Sequence, residues 1–200
     1  MKPADASIED FAHGRVPRAV RKRQIVELAE DLFSERGYQG ASMDELARRA
    51  GVTKPVVYEL FGSKDGLFRA CLERSAERLA TVVAEAVRAE QDPEKKVRAG
   101  GLAFLRFASD HRVAWELMME GRFSDAAAGV RRRQAALVLE LLSEMVPAGV
   151  DRRELEVAAH AVNSAYEGVA HWMWEHPDVP LEQLADWTVE LLLPGLRRFT

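Results

Sequence analysis

The sequence predicts an all-α protein, and three observations carry that reading. Apolar residues recur three and four positions apart through most of the chain, the spacing of a buried helix stripe. Helix-start and helix-stop residues alternate in order, Pro17 with Gly37, Ser42 with Gly51, and Thr53 with Gly62. No segment of the 200 residues keeps the two-residue alternation of a half-buried strand.

Taken in order, residues 1–16 are polar and aperiodic, which predicts a flexible arm. A first helix starts at Pro17 and carries Ile25, Leu28, Ala29, Leu32 and Phe33 on one face, until Gly37 offers a left-handed stop. Arg18, Arg21, Lys22 and Arg23 crowd its first turns, the wrong sign for the helix dipole, so something must favour cations there. A phosphate backbone serves that purpose; so does a solvated basic face. The second helix opens with a capping box, Ser42 with Glu45, and buries Met43, Leu46, Ala47 and Ala50. Thr53 and Pro55 open a short third helix, Lys54 to Leu60, and Ser63 caps a long fourth running to about Ala89. Further helices are expected near Pro93–Ser109, His111–Glu120, Asp125–Met145, Arg152–Glu175 and Leu181–Phe199.

Composition excludes several classes. Hydrophobic residues make up 48% and charged residues 30%, an ordinary globular balance. The single cysteine, Cys71, removes an internal disulfide framework and any multi-cysteine zinc site. The longest nearly unbroken apolar run, Ala135 to Leu142, is far short of the ~20 residues of a membrane span, and the N-terminus is not a secretory signal. A cytoplasmic protein without membrane partners is expected. No phosphate-cradling glycine loop, HExxH or Gly-x-Ser-x-Gly occurs. Glu167 and His171 lie one helical turn apart, but two ligands do not make a metal site. Neither an enzyme nor a bound cofactor or metal is expected. The formal charge of −4 is unevenly spread. Residues 15–64 hold ten Lys and Arg against seven Asp and Glu, whereas residues 65–200 hold seventeen against twenty-two. A basic module in front of an acidic remainder permits nucleic-acid binding without requiring it.

Residues Ala47–Tyr58 have the form of a helix-turn-helix, with a small residue on the first helix (Ala47), a left-handed turn residue (Gly51), and apolar anchors after it (Val52, Val57). Such anchors hold two short helices at a steep angle, so that the second projects into a major groove. The wider stretch 23–68 closely resembles the DNA-binding domain of the TetR family of bacterial repressors. The matching elements are LF-x-x-x-GY at Leu32–Tyr38, S-x-x-x-[LI]A at Ser42–Ala47, AGV at Ala50–Val52, Tyr58, and F-x-x-K-x-x-LF at Phe61–Phe68.

The resemblance implies a ligand-responsive, sequence-specific transcriptional regulator: a homodimeric repressor on an inverted-repeat operator in double-stranded DNA, released by a small-molecule effector. The alternative is a helical ligand- or partner-binding protein without specific DNA binding. The implied organisation is an arm at 1–16, a three-helix helix-turn-helix DNA-binding domain at 17–66 with helix four as connector from 64, and a helical ligand-binding and dimerisation domain at 67–200. The DNA contacts expected are Ser42, Thr53, Lys54, Pro55, Val56, Tyr58 and Lys64. Ser42 caps a helix N-terminus that can accept a phosphate. Val56 suits a thymine methyl, and Tyr58 and Lys64 suit backbone phosphates. Glu59 and Leu60 depart from the family pattern, and a carboxylate near phosphates costs affinity unless it pairs with an arginine or accepts from a cytosine amino group.

In the second domain, Phe104, Phe107, Trp115, Met118, Met119 and Phe123 offer apolar lining, and Asn163, Tyr166 and His171 offer polar contacts, for a hydrophobic or aromatic ligand. The implied dimer rests on the last two long helices packed as a four-helix bundle with their partners. Ala158, Ala161, Ala165 and Gly168 allow close approach, and Leu184, Trp187, Thr188 and Leu191 line the final helix.

Overall fold

A computed structural model describes residues 16–112, 124–147 and 149–197. Among them are eight helices and no strand: α1 (Arg18–Gly40), α2 (Met43–Arg49), α3 (Lys54–Phe61), α4 (Lys64–Arg88), α5 (Pro93–Asp110), α6 (Ser124–Ser143), α7 (Arg152–Met173) and α8 (Leu181–Leu196). The arm and most of the helix expected at His111–Glu120 lie outside the described residues. The chain divides into two compact units after Arg74, within α4.

Local chemistry sets the ends of these helices. Gly37, at φ 65° and ψ 171°, breaks α1 at a backbone conformation that an L side chain rarely adopts, and one further turn continues to Gly40. The Ser42 hydroxyl accepts from the Asp44 amide at 3.2 Å, Asp92 from that of Lys95 at 3.0 Å, and Asp151 from that of Arg153 at 2.9 Å. Ser63 likewise accepts from the Gly66 amide at 2.9 Å in the first turn of α4.

The first unit buries the stripe the periodicity marks except Leu28, which is half-buried. Ile25, Ala29, Leu32 and Phe33 of α1, Met43, Leu46 and Ala47 of α2, Ala50 just after it, and Val57 of α3 are all buried, with Leu67, Phe68, Cys71 and Leu72 of α4. Phe33, Tyr38 and Phe68 form an aromatic cluster with centroids 5.1 to 5.8 Å apart. Gly66 lets α4 begin this close to α3, because a Cβ there would stand 2.1 Å from the Phe61 carbonyl oxygen.

In the second unit α6 lies on α7 and α5 on α8, with α5 and α7 also in contact. Their shared core takes Leu102, Phe104 and Leu105 from α5, Val162, Tyr166, Ala170 and Met173 from α7, and Leu184 and Ala185 from α8. The C-terminal part of α4 contributes Leu79, Val83 and Val87. Arg98 of α5 holds Asp186 of α8 through both guanidinium nitrogens, Nη2 at 3.1 Å from Oδ2 and Nε on Oδ1.

Candidate nucleic-acid interface and effector cavity

α3 is anchored from below by Val57, which is fully buried, and presents its other side outward. Thr53, Lys54, Pro55, Tyr58 and Glu59 are exposed, Val56 is half-buried, and Ser42 is exposed at the start of α2. The positive φ of Gly51 (63°) and the bond from the Val52 amide to the Ala47 carbonyl at 3.0 Å form the turn between the two helices. Tyr58 points away from the core, as a phosphate contact requires. Lys64 extends its ammonium back to the Gln39 carbonyl (3.3 Å) and over the Tyr38 ring (4.7 Å), at the entrance to α2.

Three arrangements differ from the simplest reading of the sequence. Thr53 takes the N-cap position of α3, but its hydroxyl makes no cap bond. The capping box of α2 is half formed: Ser42 caps, whereas Glu45 accepts from Arg49 at 2.6 Å, because a guanidinium already held by Glu35 at 2.7 Å offers a charge. Lys54 is ion-paired with Asp44 at 2.7 Å, an interaction that raises its pKa and ties the start of α3 to that of α2.

The basic start of α1 also finds partners within the unit. Arg18 reaches Glu59 at 3.3 Å, Arg21 donates to the Ala50 carbonyl at 3.4 Å, and Lys22 stands over the Phe61 ring at 5.8 Å. These cations brace α1 against α2 and α3. The Arg18 pair neutralises the one acid on the outward face of α3.

The second unit encloses an apolar cavity of about 80 Å³ lined by α4, α5, α6 and α7. Of the residues expected to contact a ligand, Phe104, Asn163 and Tyr166 are among its lining. Phe107 and His171 are not. Phe107 stacks on His111 at 3.9 Å, and His171 is exposed, edge-on to Trp174, because its position on α7 faces away from α5. Trp115, Met118, Met119 and Phe123 lie outside the described residues. Sequence reasoning missed Gln134 and the Gly100-Gly101 pair, which also line the cavity. Two adjacent glycines inside a helix, each unfavourable there by about 1 kcal/mol against alanine, were the available signal.

Of the expected dimer residues, Leu184 and Thr188 belong to the chain's own core, and the Thr188 hydroxyl donates to the Leu184 carbonyl at 2.7 Å. A helix apolar on several sides does not show in its sequence which side its own chain covers. Trp187 and Leu191, one turn apart, are exposed, the latter 83%. On α7, Ala161 and Gly168 are exposed and Ala158 and Ala165 half-buried, in line with Val157 and Trp172, two exposed apolar residues that sequence reasoning missed. Among the described residues no three His, Cys, Asp or Glu side chains are grouped to hold a metal, and no helix is long and apolar enough to cross a membrane.

Comparison with known proteins agrees with this geometry. Residues 25–71 match the family of bacterial regulatory proteins named for TetR, and residues 93–195 match a tetracyclin repressor-like C-terminal domain. The HTH-type transcriptional activator FasR of Mycolicibacterium smegmatis is 31% identical over 189 residues, 91% of this chain and 85% of its own. The repressor AcnR of Corynebacterium diphtheriae is 36% identical over 67 residues, 34% of this chain and 35% of its own. A TetR-like regulator from Rhodococcus sp. RHA1, 32% identical, superposes with a TM-score of 0.63 over 92% of this chain and 99% of its own. TetR-family regulators bind DNA operators, and typically dimerise and bind small-molecule effectors. The relatives are regulators, not enzymes. The chain belongs to the TetR family and is a DNA-binding transcriptional regulator.

Proposed function

We propose that the protein works in the cytoplasm as a homodimer on an inverted-repeat operator, and leaves that operator when a hydrophobic or aromatic ligand fills the cavity of its second unit. The observation that carries this reading is the course of α4. The helix begins at Lys64, beside the outward face of the first unit, and its later residues Leu79, Val83 and Val87 line the cavity. A ligand that favours one placement of this helix biases the position of the DNA-contacting residues, and DNA favours the other placement. Linkage makes the opposition reciprocal.

The contacts we assign are Ser42, Thr53, Tyr58 and Lys64 to phosphates, with Lys54, Pro55 and Val56 at the groove. The dimer is supported by apolar residues exposed among the described ones, Val157 and Trp172 of α7 and Trp187 and Leu191 of α8. Two recognition helices related by a two-fold axis then read half-sites about 34 Å apart. A dimer bound over a promoter represses and one bound upstream can activate, so operator position sets the sign; repression is the reading retained here. The test is retention of operator DNA by the purified protein at two chains per site, followed by addition of apolar compounds. Release on addition supports the reading. Equal retention with every compound that demonstrably binds the second unit overturns it.

A further inference from the structure

The cavity carries information about its ligand that its apolar walls alone do not. Gln134 of α6 is 6% exposed and Tyr166 of α7 3% exposed, and both line the cavity. The two polar atoms of the Gln134 amide and the Tyr166 hydroxyl are buried without a hydrogen-bond partner. Such groups destabilise a folded protein, and natural cores hold few of them. Here two side chains from facing helices, one with a donor-acceptor amide and one with a hydroxyl, line the same apolar space.

The backbone is also shaped to keep the phenol there. A Cβ on Gly101 would stand 1.9 Å from the Tyr166 hydroxyl, and one on Gly100 would stand 2.8 Å from the Val87 side chain. Gly101 gives the hydroxyl its place against α5, and Gly100 lets Val87 of α4 approach, both at the expense of helix propensity. Burial pushes the Tyr166 hydroxyl pKa up, so it stays a protonated donor.

Among the described lining residues none at this end is charged. Asn163 donates to Glu167 at 2.9 Å, and Arg98 is held by Asp186. The cation in the lining, Lys96, stands five residues before Gly101, about 7.5 Å nearer the N-terminus of α5. Its neighbour Val97, with Leu142 and Met145, also lines an adjoining cleft of about 380 Å³. Lys96 thus lies on the side of the adjoining cleft, and Gln134 and Tyr166 farther from it.

We propose that this cavity selects ligands with an uncharged hydrogen-bonding head, an amide or alcohol in type, which pairs with Tyr166 and Gln134 while an apolar body extends toward the outer cleft. The inference rests on the reading of the cavity as the effector site. At about 80 Å³ the cavity is smaller than the roughly 150 Å³ that holds benzene in an engineered apolar cavity. A slender chain suits it better than a ring.

The test uses the full chain with octanamide, 1-octanol and octanoate as probes, read by thermal shift and by titration. Octanamide and 1-octanol are expected to bind more tightly than octanoate at neutral pH. Tyr166→Phe and Gln134→Met each remove a buried unpaired group, so each is expected to raise the melting temperature of the unliganded protein. Each variant is also expected to weaken octanamide binding about three- to tenfold, the value of one hydrogen bond. Octanoate binding as tightly as octanamide would show that Lys96 reads an anion and would overturn the proposal. Octanamide binding unchanged in both variants, or no binding of any probe, overturns it as well. DNA retention measured on the same samples separates the two readings. Octanamide that binds selectively without altering DNA affinity sinks the effector role while leaving the selectivity intact.

Discussion

Glu59 is the one acid on the outward face of the recognition helix, and its partner is Arg18 from the start of α1, at 3.3 Å and largely exposed. Exposed pairs of this kind contribute little to stability, so the effect of the pair is felt on binding. Glu59→Gln removes a negative charge beside the phosphates and frees Arg18 for them. DNA affinity is therefore expected to rise on all sequences alike, with a steeper salt dependence by about one unit of slope. Fluorescence anisotropy at several salt concentrations reads both; an unchanged slope contradicts the role given to Arg18. Gly66 makes a sharper prediction. Its substitution by alanine drives a Cβ onto the Phe61 carbonyl, and the first unit is expected to lose about 1–3 kcal/mol by chemical denaturation. Position 66 is unspecified in the motif, and the need for glycine there was not legible, since the close approach of α4 to the end of α3 exists only in the fold. Glu59 was legible as a departure, and its arginine partner was not, being 41 residues away.

At the scale of elements, helix starts were the most legible feature. Ser42 and Ser63, read as caps from the sequence, each accept a backbone amide of the helix they open, as do Asp92 and Asp151, which were not so read; Thr53, also read as a cap, makes no such bond. Caps are local, so the sequence holds all they need. Pairings between helices are not local: Arg49 is held by Glu35 of α1, and Glu45 accepts from that guanidinium rather than closing the box the spacing suggests. The clamp of Arg98 on Asp186 joins α5 to α8 and holds the Asp186 carboxyl below the usual aspartate range. A depressed folded-state value means stability that is present above the ordinary pKa of ~3.9 and lost as pH falls through the lowered one. The wild-type second unit should thus lose stability below about pH 4 more steeply than Asp186→Asn, while the two converge under strong acid. Parallel acid limbs in denaturation profiles of the two would rule out the clamp as a source of that slope.

The whole molecule depends on what covers the stripes of α7 and α8. Their apolar character was readable, but the division between Leu184 and Thr188, turned inward, and Trp187 and Leu191, turned outward, was decided by packing on α5. Gln134 was equally hidden, since a glutamine after three arginines reads as solvated surface until α6 is laid on α7. Leu191→Glu places a charge on the uncovered face without touching the chain's own core. It is expected to yield monomers in sedimentation, with an unchanged helical signal, and to weaken operator binding at least tenfold, because a monomer engages one half-site. Persistence of a dimer would move the interface elsewhere. The most direct test of the account is binding of the purified chain to DNA fragments flanking its own gene, at low and moderate salt, with nonspecific competitor. Retention of one short inverted repeat, weakened but not abolished by salt, is the result expected of a dimeric sequence-specific regulator. Failure to hold any fragment even at low salt would contradict it.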